Sequence, residues 1–99
     1  MQNKIKRFSH NQLLVLQVFL QKAGQVVTLK HLEKKTQITG KSLGGVISSL
    51  TRTKFRNIPL IDPVGQDYHS SGLRWILNDG LLDISTASKE IKRLISLYE

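Results

Sequence analysis

Between positions 13 and 20 seven of eight residues are apolar: Leu13, Leu14, Val15, Leu16, Val18, Phe19 and Leu20. On a helical wheel they go nearly all round, which predicts a helix enclosed on most sides by the rest of the domain. Ser9, with Gln12 three residues on, is a capping box that starts this helix. Gly24 is its expected C-cap. Gln25-Val26-Val27 is short and β-branched and reads as a short strand. Thr28 then caps a second helix, with Leu29 and Leu32 facing inward and Lys30, His31, Lys34 and Lys35 outward. After the turn Ile38-Thr39-Gly40 a third helix is predicted over 41–54, its core stripe Leu43, Val46, Ile47 and Leu50 spaced i, i+3, i+4, i+7.

Beyond Phe55 the period shortens to two. Ile58 to Val64 reads as a strand, and Pro59 and Pro63 confine it to a sheet edge. Leu73 to Leu77 returns as a second strand with Leu73, Trp75 and Leu77 on one face, so the two form a β-hairpin around a polar loop holding Tyr68 and His69. Trp75 is expected to be buried against the first helix, near Leu16 or Phe19. Ser85 or Thr86 is expected to cap a last helix carrying the stripe Ile91, Leu94, Ile95 and Tyr98. The pattern thus divides the chain into a basic arm over 1–8, a domain over 9–78 and a terminal helix within 79–99 that either covers an open face or pairs with a second copy.

The third helix carries the most informative polar face. Opposite its core stripe lie Lys41, Gly45, Ser48, Ser49 and Arg52: two cations, two hydroxyls, a glycine, and no acid or long apolar side chain. Gly44 and Gly45 each cost a helix interior roughly 1 kcal/mol relative to alanine. Two readings account for that cost, relief of crowding against a neighbouring helix and close approach to a ligand surface. The charge beside the glycines makes the second the expectation.

Charge distribution sharpens this. The chain of 99 residues has net charge +8. Residues 1–56 hold eleven Lys and Arg against the single acid Glu33, a net of +10, while residues 57–99 hold four against six, a net of −2. The basic half contains the small-residue helix, which points to a polyanionic partner. The length is that of one domain with one modest core. With no cysteine, disulfides and thiol chemistry are excluded. The longest apolar run is far below the roughly 20 residues of a membrane span, and no signal-peptide cleavage site follows it, so a cytoplasmic chain with no membrane association is expected. Catalysis has little to build on. His10, His31 and His69 have no metal-ligand spacing. Gly40-Lys41-Ser42 has the end of a P-loop, but position 35, where the loop's first glycine belongs, is Lys35. No enzyme activity, cofactor or metal is expected.

The order helix, short strand, helix, turn, helix, hairpin over residues 9–78 resembles the winged helix-turn-helix superfamily. The resemblance implies an α+β fold: a three-helix core with a short strand and a C-terminal β-hairpin, the wing, to which this chain adds a C-terminal helix. It also implies double-stranded DNA as partner, with the third helix in the major groove. Carried over by position, Lys41, Ser42, Gly45, Ser48, Ser49 and Arg52 would meet the groove. Thr28, Lys30 and Thr39 would meet the backbone, with Lys54, Arg56, His69 and Arg74 as further contacts. Two positions depart from the pattern. A branched apolar residue is expected nine positions after the turn glycine Gly40, where Ser49 stands, and the wing tip carries Asp67 and no Lys or Arg before Arg74. The implied function is a small transcriptional regulator, homodimeric through its last helix, or the DNA-recognition domain of a larger assembly. The alternative is a protein-interaction adaptor within a multisubunit complex, since the same fold serves both.

Overall fold

The computed structural model describes residues 7–55, 57–66, 73–78, 80 and 83–98. Arg56, His69, Asp67 and Tyr68, and with them the expected wing tip, lie outside the described residues. The described chain is an α+β domain of four helices and a three-stranded antiparallel sheet, with a separate two-stranded ladder.

Helix α1 (His10–Gln21) is the central post. Its capping box forms as expected: the Gln12 amide donates to Ser9 Oγ at 3.2 Å and the Ser9 amide to Gln12 Oε1 at 2.7 Å. Six of its residues, Leu13, Val15, Leu16, Val18, Phe19 and Leu20, are buried around the wheel. Lys22, not Gly24, is the C-cap, its amide reaching the carbonyls of Val18 and Phe19 at 3.2 Å. Gly24 comes two residues later, where the turn toward the first strand needs φ +80.

Strand β1 (Val26–Thr28) sits one residue later than its pattern indicated and is a full member of the sheet, paired along the hairpin's returning strand. Helix α2 (Leu29–Thr36) starts where Thr28 Oγ1 accepts the His31 amide at 3.2 Å. It stops at Gln37, in the left-handed region at φ 63. Leu32 is buried and Leu29 half-buried. Helix α3 (Gly40–Arg52) buries Leu43, Ile47 and Leu50, with Val46 half-buried. It ends two residues before the expected position 54 because Lys54 already belongs to a strand.

That strand is the main departure from the sequence pattern. β2 (Lys54–Phe55) and β3 (Ile58–Pro59) form a tight antiparallel ladder turned by Asn57 at φ 67. The single strand expected from Ile58 to Val64 is therefore broken at Leu60, which is fully buried, and resumes as β4 (Ile61–Gln66). β4 pairs with β5 (Leu73–Leu77) with a register irregularity between Pro63 and Gln66, and the sheet order is β1-β5-β4. Pro63 is thus on an edge strand, where a missing amide is tolerated. Asn78 locks the small ladder to the sheet, donating from Nδ2 to the Pro59 carbonyl at 2.6 Å and to Asp62 Oδ2 at 2.7 Å.

Helix α4 (Ile84–Ser96) closes the domain. Its cap is Asp83, whose carboxylate accepts the Thr86 amide at 3.3 Å, so Ser85 and Thr86 fall inside the first turn instead of capping it. Ala87, Ile91, Leu94 and Ile95 are buried, and the helix packs chiefly on α1. Of the two roles open to this helix, covering the domain's face is therefore filled. Tyr98, expected in the same stripe, is instead exposed and stacks on His10 with ring centroids 4.7 Å apart.

Candidate nucleic-acid interface

The outer face of α3 presents Lys41, Ser42, Gly44, Gly45, Ser48 and Arg52, all exposed. Alanine Cβ atoms built at Gly44 and Gly45 would meet nothing within 4 Å. No neighbouring helix requires these glycines, which removes the crowding reading: the space beside them opens outward. From Lys41 to Arg52 is eleven residues, about 16 Å along the axis at 1.5 Å per residue. The face is thus cationic at both ends and small in the middle.

Ser49 differs from its neighbours. It is half-buried, its Oγ accepts from Gln12 Nε2 at 2.8 Å, and it donates to the Val46 carbonyl at 2.6 Å. At the position where the resemblance expects a branched apolar residue, a hydroxyl is satisfied instead by Gln12, the N3 residue of the α1 capping box. The same glutamine amide therefore starts α1 and holds the far end of α3 against it. Thr53 Oγ1 completes the junction by donating to the Ser49 carbonyl at 2.8 Å.

The remaining expected residues scatter around this helix. Lys30 and Thr39 are exposed at the start of α2 and just before α3. Thr28 is half-buried with its hydroxyl engaged in capping. Lys54 is exposed on β2, next to the end of α3. Arg74 is half-buried on the central strand of the sheet, opposite Thr28.

Charge on this surface is largely unneutralised. Among the described residues the one salt bridge is Arg93 with Glu90, at 2.6 Å on α4. Arg7, Lys22, Lys30, Lys34, Lys35, Lys41 and Arg52 make no ion pair among the described residues. His31 registers the surplus: desolvation lowers its pKa from the ordinary 6.5, and Lys22, Lys35 and Lys34 lower it further by repulsion.

The chain was compared with family models, curated proteins and solved structures. None matches it.

Two concavities flank α3. One, of about 480 Å³, lies on the sheet side between α3 and the hairpin, where Gly44, Ser48 and Thr51 face Pro63 and Trp75. Trp75 is buried as expected, at 6% exposure, and it borders this groove beside the small-residue helix. The other, of about 340 Å³, lies at the end of α3 and joins Arg52 to Arg7. The sequence pattern assigns Arg7 to the basic arm over 1–8. The signal available was Phe8, an aromatic residue just before a capping box, which the fold buries to 8%. Among the described residues no group of acids and histidines is arranged to hold a metal, and no helix is long and apolar enough to cross a membrane.

Proposed function

We propose that residues 9–78 are a winged helix-turn-helix module that binds double-stranded DNA through α3, acting as a small transcriptional regulator or as the recognition domain of a larger assembly. The observation that carries the reading is the outer face of α3, which pairs Lys41 and Arg52, without an ion pair among the described residues, with two glycines that none of those residues crowds. The sheet order β1-β5-β4 supports it, since the short first strand and the hairpin join in one sheet with the helices in the expected order.

A major groove about 12 Å wide admits an α-helix or a two-stranded β-ribbon. On this reading Gly45 and Ser42 let the helix backbone come close to the duplex. Lys41 and Ser48 meet base edges, where a good bidentate pair contributes about 1–3 kcal/mol of discrimination. Ser49 drops out of base reading because its proton is already donated within the helix. Arg52, Lys30 and Thr39 face phosphates and supply affinity with little sequence information.

Fluorescence anisotropy with a random-sequence duplex at low and moderate salt tests the proposal. The parent should bind with strong salt dependence, Gly45→Leu should fold and bind poorly, and Arg52→Ala should lower the magnitude of the log affinity against log salt slope by about 0.9. If both variants fold and bind as the parent does, α3 is not the DNA-reading element. A parent that binds no duplex leaves the adaptor reading as the better one.

A further inference from the structure

The concavity at the end of α3 brings together three cations from three separate elements. Arg7 comes from the segment before α1, Arg52 from the last turn of α3 and Lys54 from β2; Phe8, Gln12 and Thr53 are the other described residues of the lining. No carboxylate is among these residues. We propose that this pocket is a clamp for one phosphodiester of the DNA backbone, with Arg7, Arg52 and Lys54 converging on the same phosphate; the inference rests on the DNA-binding reading above.

The walls are held in place before any anion arrives. Phe8 is buried and anchors the chain immediately after Arg7. Gln12 is held between the Ser9 amide and Ser49 Oγ at 2.7 and 2.8 Å, and Thr53 is tied to the Ser49 carbonyl at 2.8 Å. The capping box of α1 therefore fixes where Arg7 stands relative to Arg52. Guanidinium groups offer paired donors that match the oxygens of a phosphate bidentately, and an ammonium adds a point charge. The Arg7 and Arg52 guanidiniums, two like charges facing one concavity, repel, so a bound anion stabilises their approach to one another. The consequence is positional: a phosphate held here fixes how far α3 can travel along the groove, and Lys41, about 16 Å away along the helix, meets a defined base step.

A coupling experiment tests the clamp. Duplexes in which single linkages are replaced in turn by an uncharged methylphosphonate are titrated against the parent, Arg7→Gln, Arg52→Gln and the double variant. Both arginines are exposed, so thermal melts should confirm unchanged folding. One linkage should weaken parent binding by about tenfold when neutralised, the effect of losing a charged hydrogen bond. The same linkage should then have little further effect on either arginine variant. If Arg7 and Arg52 couple to different linkages, or to none, while the parent still binds DNA, the shared clamp is overturned and the DNA reading stands. If the parent binds no duplex, both fail together.

Discussion

Replacing glycines by alanine on α3 should make the protein more stable and a poorer binder at once. Gly44 and Gly45 have ordinary helical backbones, and an added Cβ meets nothing within 4 Å at either. The structural cost of the methyl group is therefore nil, and what remains is intrinsic propensity, roughly 0.8–1 kcal/mol in favour of alanine at each site. Adjacent helix positions do not face each other, so the two gains should add to roughly 1.5–2 kcal/mol. For a domain of this size about 4–8 °C in melting temperature accompanies each kcal/mol, so Gly44→Ala/Gly45→Ala should melt about 6–16 °C above the parent. Gly40 supplies the control. Its φ of +62 also has open space around it, but a side chain in that conformation costs roughly 1 kcal/mol or more, so Gly40→Ala should melt lower. Thermal denaturation followed by circular dichroism measures all three, and anisotropy on the same samples reads binding. A double variant that gains stability and loses affinity identifies a face kept glycine-rich for its partner. Loss of stability at 44 or 45 would refute the geometric argument, and a gain in stability with parental affinity would remove the glycines from the interface.

Trp75→Ala should cost about 3–5 kcal/mol, a large share of a small domain's stability, with the lower end favoured because the bordering groove admits water to the space left behind; urea denaturation measures it. Ser49→Ala should cost about 1–2 kcal/mol by leaving the Gln12 amide without its partner on α3, whereas Gln12→Ala/Ser49→Ala should add little to Gln12→Ala alone; additive losses would mean the bond contributes nothing. His31 has a folded pKa below 6.5, so the unfolded chain takes up its proton first as pH falls: its contribution to stability is full above about 6.5 and is lost as pH drops through the folded value. Lys34→Ala/Lys35→Ala should raise the His31 pKa in an NMR titration, and an unchanged value would leave desolvation and Lys22 as the causes. With the α4 stripe buried in the domain, Leu97 and Tyr98, 70% and 58% exposed, are the apolar side chains that a pairing of two copies there would have to use. Leu94→Asp would unfold the monomer, whereas Leu97→Asp should keep the fold and abolish any dimer seen by sedimentation.

What could be read from the sequence is what local physics decides. The Ser9 capping box, the Thr28 cap and the stripe Leu43, Ile47, Leu50 involve residues within seven positions of one another, and each formed as its spacing indicated. The glycine pair on α3 was legible too, because its cost is intrinsic to the helix. Tertiary structure decided the rest. Asp83 took the cap of α4 from Ser85 and Thr86. Asn57 adopted φ 67, a choice open to asparagine in any turn, and Asn78, anchored to Pro59 and Asp62, holds the resulting ladder to the sheet. The two uses of Gln12 show the limit most clearly. Its bond to the Ser9 amide spans three positions and is visible as a motif, while its bond to Ser49 spans thirty-seven and has no sequence signature. That second bond ties the start of α1, near Arg7, to the last turns of α3, near Arg52. Only chain closure around the buried post of α1, driven by apolar burial that is blind to the cations it carries along, could set those two charges around one pocket.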